Sequence, residues 1–188
     1  MIKIGITGSI ASGKSTVAKM LARKKYPIFN ADNEVKKIYR NKLFQKKIFK
    51  KLGVKTKNDI KKIVSRNPKK LRITEKIIHP LVRKNLKLFI KRNERKKHLI
   101  FEIPLLIESN LMKKFDVIIF VDANKKNRVR RFIKKGKNKK LFDVLDRRQL
   151  KPNKKMKFCD YLINNNFSLK KLLNNVNILR EKLWKKSF

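Results

Sequence analysis

Apolar residues fall along this chain in two alternating patterns: short runs rich in isoleucine, valine and phenylalanine, and longer stretches with helical spacing. Ile2 to Thr7 is one short run, the pattern of a strand buried on both faces, and Ser15 to Lys25 carries Val17, Met20 and Leu21 at helical spacing. Tyr26 to Phe29 predicts a second strand. Asn33 to Leu52 predicts a basic amphipathic helix with Val35, Ile38, Tyr39 and Ile48 on its apolar side. Asp59 to Val64 reads as a short helical turn closed by Asn67-Pro68. Leu71 to about Asn93 reads as a long helix interrupted near His79-Pro80, because proline removes a backbone donor. Leu99 to Ile103 and Asp116 to Val121 are the third and fourth strands. Lys125 to Lys135 and Lys139 to about Leu150 are helices flanking a polar loop at Gly136. Tyr161 to Ile163 is a last strand, and Leu169, Leu172, Leu173, Val176, Leu179 and Leu183 form the stripe of a C-terminal helix.

Strands that alternate with helices predict an α/β fold, a parallel sheet covered by helices on both faces. The long helical insertion between the second and third strands would sit over the carboxyl ends of the strands, where open α/β sheets bind ligands.

The join between the first strand and the first helix is Gly8-Ser-Ile-Ala-Ser-Gly13-Lys14-Ser15-Thr16, a complete G-x-x-x-x-G-K-[ST] loop. Gly8 and Gly13 permit backbone conformations and close approaches that a Cβ would block, so successive N–H groups can turn inward on a polyphosphate. The helix N-terminus adds partial positive charge at the same place. Lys14 has the reach for the β- and γ-phosphates, and the Ser15 hydroxyl can join the shell of a Mg²⁺ ion. The loop predicts binding of a nucleoside triphosphate.

Composition changes the picture less than its extremity suggests. The chain of 188 residues has 55 basic against 13 acidic side chains, a formal charge of +42. Such a charge suggests nucleic-acid binding through phosphate neutralisation. The lysines, however, are spread along the whole chain, and they accompany an excess of Asn, Ile and Phe and few Gly and Pro, the bias of an AT-rich genome acting on solvated surfaces. Any binding to nucleic acid is therefore expected to be non-specific and charge-driven. Cys159 is the only cysteine, which excludes an internal disulfide and a cysteine-based zinc cluster and suits a reducing cytoplasm. No apolar run approaches the roughly 20 residues of a membrane span. The first residues belong to the first strand and not to a signal peptide.

The acceptor of the phosphoryl group must be read from other polar residues at strand ends. Asp32 follows the second strand, placed to take a proton from an attacking hydroxyl or to hold Mg²⁺ through water; the equal alternative is an N-cap for the next helix. Glu102 ends an apolar strand as a metal-serving acid does. His79-Pro80 by itself is a helix kink with a packed histidine. Arg128, Arg130, Arg131, Lys134 and Lys135 precede the Gly136 loop, and Arg147 and Arg148 follow it; cations there can offset charge on a transferred phosphoryl group.

Taken in order, GSIASGKST, NAD ending at Asp32, IHPLV, EIPLLIE, RQ and CDYLINNN resemble dephospho-coenzyme A kinase over nearly the whole chain. The resemblance implies a P-loop kinase fold with a helical acceptor-binding insertion and a mobile lid. It implies one domain over residues 1–188, with a core of about 1–32, 97–124 and 158–188, an acceptor-binding region of about 33–96 and a lid of about 125–157. It implies transfer of the ATP γ-phosphoryl group to the ribose 3′-hydroxyl of dephospho-coenzyme A, with Mg²⁺. Asp32 matches the family's catalytic carboxylate, acting with Lys14. Gly8, Ala11, Ser12, Gly13, Lys14, Ser15, Thr16, Arg130, Lys134 and Asn165 match positions that bind ATP. His79, Pro80, Arg83, Leu105, Leu106 and Glu108 fall in acceptor-binding segments. Ser15 is the metal ligand, with Glu102 as a candidate second.

The chain departs from the family pattern at Ser9 and Ala11, where glycines are usual, at Asn30, where an acid is frequent, and at Lys134, where an arginine is common. Lysine cannot reproduce a bidentate guanidinium contact with phosphate. The competing readings are another P-loop nucleoside or nucleotide kinase and, from a different class, an ATP-dependent nucleic-acid-binding protein.

Overall fold

The computed structural model describes residues 1–56, 58–60, 63 and 67–185. It divides into two compact units, Met1–Phe29 with Asn93–Phe188, and Asn30–Arg92.

The first unit is built on a five-stranded parallel sheet flanked by helices. Its strands are β1 (Ile2–Gly8), β2 (Ile28–Asn30), β3 (His98–Glu102), β4 (Val117–Asp122) and β5 (Tyr161–Asn164), in the order β2-β3-β1-β4-β5. β1 lies between β3 and β4, with Ile6 level with Glu102 and Gly8 level with Val121. Asp122 is level with Asn164 across β4 and β5. The carboxyl ends of β1, β3, β4 and β5 therefore share one edge.

The period of two explains the layers. Ile4, Ile6, Ile100, Ile119 and Val121 enter one buried cluster with Val17, Ala18 and Leu21 of helix α1 (Lys14–Ala22). The same cluster takes Leu172, Val176, Leu179 and Leu183 from a C-terminal helix, Leu169–Lys185. The alternate residue Gly5 points to the opposite face, where an added Cβ would press within 2.7 Å of Leu106 Cδ1 and 3.2 Å of Phe115. Phe101, from the alternate set of β3, packs its ring 5.2 Å from that of Phe115.

The second unit holds helices α2 (Ala31–Arg40), α3 (Lys42–Leu52) and α4 (Pro68–Arg92). Ile38, Phe44, Ile48, Leu52, Ile60 and Ile78 form its buried core. The single helix expected from Asn33 to Leu52 is two. Asn41 adopts an extended conformation (φ −71°, ψ 123°), and its side chain accepts the Phe44 N–H at 3.0 Å, capping α3 where α2 ends. Asn67-Pro68 opens α4: Asn67 Oδ1 accepts from the Lys69 and Lys70 amides at 3.0 and 3.1 Å, and Pro68 fills the first turn. The helical turn expected at 59–64 is seen at residues 58–60 and 63, and its other positions lie outside the described residues. α4 also runs through Pro80 without the expected interruption. The missing N–H leaves the Lys76 carbonyl without its partner, and the exposure of Lys76 and Pro80 lets water take that place.

In the first unit the chain continues from β4 through α5 (Lys125–Lys134), α6 (Lys139–Arg147) and α7 (Pro152–Met156) to β5 and α8 (Leu169–Lys185). α6 ends three residues before the expected Leu150, and a separate turn opened by Pro152 follows it.

Candidate nucleotide and phosphoryl-transfer site

The loop between β1 and α1 turns on two glycines and one strained alanine. Gly8 has φ 149°, and a Cβ there would strike the Val121 carbonyl; Gly13 has φ 102°, and a Cβ would strike the Asn165 amide. These contacts explain why the two defining glycines cannot vary. Ala11 has φ 57°, in the left-handed region that glycine occupies at no cost. α1 starts at Gly13 without a side-chain cap, which leaves its positive end to an anion.

Lys14 is 7% exposed, and its ammonium donates to the carbonyls of Gly8 at 3.1 Å and Ser9 at 2.8 Å. It therefore stands over the loop, holding it closed. The Ser15 hydroxyl donates to Glu102 Oε1 at 2.5 Å. Because the proton goes to the carboxylate, the lone pairs of Ser15 remain for a hard cation. Thr16 is exposed on the same turn.

Three side chains from later in the chain fix the loop from outside. Asn165, just beyond β5, donates from Nδ2 to the Ser12 carbonyl at 2.7 Å. Arg131 of α5 donates to the Asn165 carbonyl at 2.8 Å and side-chain oxygen at 3.3 Å, and to the Ser12 carbonyl at 3.4 Å. Burial, and then the neighbouring Arg130, lower the pKa of Arg131, while three acceptors hold its charge. Gln149 accepts the Ile10 N–H at 2.8 Å. Sequence reasoning placed Arg131 among several lid cations and Gln149 only in the RQ pair of the family resemblance. Neither carries a periodic signal, because the contact of each depends on residues more than a hundred positions away. Both polar ends of Asn165, expected at the nucleotide, are engaged on protein.

The other expected cations, Arg130 and Lys134, lie exposed on α5. Arg128 is instead 5% exposed, bonded to the Ala123 carbonyl at 3.1 Å and paired with Asp146 at 2.5 Å.

Of the segment Pro104–Glu108, Leu106 is fully buried and packs under the sheet, so its side chain has no surface to offer a ligand; Leu105 is half-buried. Glu108 pairs with Lys155 at 2.8 Å and accepts the Leu150 N–H at 3.0 Å. Lys155 is 0% exposed and also donates to the Pro104 carbonyl at 2.9 Å. That carbonyl takes the Thr7 hydroxyl as well, at 3.1 Å, so one buried ammonium ties the end of β1 to this segment. Cys159 donates to the Lys155 carbonyl at 3.3 Å; burial first, then Asp160, push its thiol up to about 11.

In the second unit, Asp32 lies exposed in the first turn of α2. The cap of α2 is Asn30, whose side chain accepts the Asn33 N–H at 2.8 Å, so the Asp32 carboxylate is not the N-cap. His79 is half-buried and Pro80 and Arg83 are exposed on α4, with His79 and Arg83 one turn apart on one face. Glu34 accepts from Lys37 at 2.6 Å and from Asn85 at 3.0 Å, joining α2 to α4.

Comparison with known proteins gives the family and the fold. A family model described as dephospho-CoA kinase matches residues 2–171. The chain is 36% identical over 182 residues to a dephospho-CoA kinase of Fusobacterium nucleatum, covering 92% of this chain and 94% of that one. It superposes on the crystal structure of TT1252 from Thermus thermophilus with TM-score 0.82 at 30% identity, covering 97% of both chains. A dephospho-CoA kinase from Campylobacter jejuni has the same fold, with TM-score 0.73 at 22% identity, covering 99% of this chain and 98% of that one.

Proposed function

The chain belongs to the dephospho-CoA kinase family, and from that premise we propose how its own residues carry the reaction. The protein is an ATP-dependent kinase that transfers the γ-phosphoryl group of ATP to the ribose 3′-hydroxyl of dephospho-CoA, giving CoA and ADP. The observation that carries this reading is the family match over residues 2–171, which spans the phosphate loop and both units.

ATP lies with its polyphosphate against the loop Gly8 to Thr16, on those amides not bonded within the protein as Ile10, Ser12 and Thr16 are, and on the N-terminus of α1. Lys14 exchanges the Gly8 and Ser9 carbonyls for the β- and γ-phosphates, replacing neutral acceptors with charged ones, which are roughly twice as strong. The oxygen set of Ser15 and Glu102 fits Mg²⁺, which binds through one or two carboxylates, a hydroxyl and substrate phosphates. When bound there, the ion neutralises charge on the phosphate oxygens. Asp32, uncommitted to its helix end, orients the ribose hydroxyl and takes its proton. The unit Asn30–Arg92 serves the acceptor, with His79, Pro80 and Arg83 on α4, and the segment of about 125–157 is a lid whose Arg130 and Lys134 meet phosphate. Leu105 and Glu108 shape the acceptor segment; Leu106 does so from the core. We place the reaction in the cytoplasm; no helix among the described residues is long and apolar enough to cross a membrane.

The test is ATP consumption and product mass with dephospho-CoA, AMP, adenosine or no acceptor, in Mg²⁺ buffer. One phosphoryl group added to dephospho-CoA alone is the expected result. Turnover on AMP or adenosine would keep the fold and overturn the acceptor, and ATP hydrolysis seen only with added RNA or DNA would make the charge of +42 the functional feature.

A further inference from the structure

The phosphate loop spends one of its amides on a side chain. Ile10, between the two defining glycines, donates its N–H to Gln149 Oε1 at 2.8 Å. Since an N–H requires an acceptor, this bond fixes which end of the carboxamide is oxygen. The other end, Nε2, carries two N–H donors on the same rigid plane, one amide width away at the rim of the loop. Among the described residues no protein atom accepts either hydrogen.

Gln149 is held there from both sides. Its own N–H bonds the Asp146 carbonyl at 3.2 Å, and Asp146 is paired at 2.5 Å with the buried guanidinium of Arg128. The next amide, Leu150 N–H, donates to Glu108 at 3.0 Å, and Glu108 is paired at 2.8 Å with the fully buried ammonium of Lys155. Two ion pairs thus aim one neutral amide at the phosphate loop, in the stretch Arg147-Arg148-Gln149-Leu150-Lys151, where cations are otherwise abundant. A cation attracts bound ATP and the transition state alike. A donor of fixed direction can be placed where charge develops on the transferring group.

We propose that Gln149 is a catalytic residue, anchored on Ile10 through Oε1 and donating from Nε2 to the γ-phosphoryl group of ATP. This rests on the kinase reading above.

Three full-length variants separate a donor from a structural latch. Gln149→Glu keeps an oxygen for the Ile10 N–H, and a stronger acceptor at that, but turns the other end into an anion facing phosphate. Gln149→Met keeps the length and loses both functions, and Gln149→Ala removes the group. Turnover should fall roughly 100-fold in Gln149→Met and further in Gln149→Glu. Affinity for ATP should drop in both while affinity for ADP stays within about twofold, because only ATP has the γ-phosphate. A latch would instead leave Gln149→Glu at wild-type turnover and impair Gln149→Met and Gln149→Ala alike, and that result overturns the proposal. Equal losses of ATP and ADP affinity overturn it as well. If Gln149→Glu lowers the thermal midpoint, Gln149→Met decides by nucleotide affinity: a loss for ATP and not ADP supports the donor, and equal losses overturn it. The nucleotide affinities need no acceptor, so they test Gln149 even if wild-type protein fails to phosphorylate dephospho-CoA, which would refute the kinase reading separately.

Discussion

Around the phosphate loop, polar side chains are spent on its backbone and on one another: Asn165 and Arg131 on the Ser12 carbonyl, Gln149 on the Ile10 N–H, Ser15 on Glu102, Lys155 on Glu108. In the unit Asn30–Arg92 the core is apolar, and Asp32, Pro80 and Arg83 stand exposed. The first arrangement fixes donor positions before a ligand arrives, which is how electrostatic stabilisation avoids reorganisation at the moment of reaction. On the proposed function, the second leaves charged groups hydrated until an acceptor engages them. A polyphosphate presents the same oxygens every time and suits a rigid cradle. An acceptor hydroxyl needs a carboxylate that is available and unspent.

The contrast is sharpest at Lys155. Replacing it with Met leaves Glu108 without its buried counter-charge, and removing one partner of such a pair costs about 3–5 kcal/mol. In the helical unit, Lys37→Met removes a partner whose own side chain is 68% exposed, and Glu34 keeps its bond from Asn85, so the cost should be only about 0.3–0.5 kcal/mol. Urea denaturation of both variants checks the difference; equal losses would dissolve the distinction between the two regions.

Asp32→Asn tests the other side. Turnover should fall by roughly 100-fold or more with ATP affinity nearly unchanged, since an exposed carboxylate outside the phosphate loop has no ground-state role in holding ATP. A fall of less than about threefold would remove Asp32 as the base.

Ala11→Gly relieves a left-handed alanine in the rigid region, worth about 1–2 kcal/mol, against the entropy of an added glycine of about 0.5–1 kcal/mol. A net stabilisation of about 0.5–1 kcal/mol is expected in the same denaturation assay, and a destabilised variant would show that the loop does not hold this strain.

The smallest effect lies at the opposite, amino edge of the sheet. His98 is 3% exposed, stacked on Trp184 at 4.2 Å and edge-on to Tyr26 at 4.9 Å. Burial first, then the N-terminal ammonium, Lys97 and Lys25, lower its pKa below 6.5. The unfolded chain then binds a proton that the folded chain refuses, so stability is full above about 6.5 and is lost as pH falls through that value toward the folded pKa. Denaturation between about pH 8 and pH 5 should show this slope, and His98→Phe should flatten it.

Much of this was legible before any coordinates. The β1–loop–α1 join could be read because Gly8, Gly13, Lys14 and Ser15 act within eight neighbouring positions. β4 was plain from its unbroken apolar run. The division of 33–52 into two helices was not, because Asn41 is a good cap and also an ordinary surface residue; only its bond to the Phe44 amide distinguishes the two. The continuity of α4 through Pro80 was hidden for a related reason, since sequence shows the lost N–H and not the exposure that lets water replace it.

By itself the sequence determined what local spacing controls, the phosphate loop and most strands and helices, and its ordered motifs carried the resemblance that implied the family and its reaction. Tertiary structure alone decided which of many similar cations and amides touch the loop. Arg131 and not Arg130 reaches Ser12, Lys155 and not its lysine neighbours is buried, and Gln149 meets Ile10 across 139 positions of chain. Those choices follow from sheet register and helix direction, which bring distant residues within hydrogen-bond reach, and in a chain with 55 basic residues composition cannot make them.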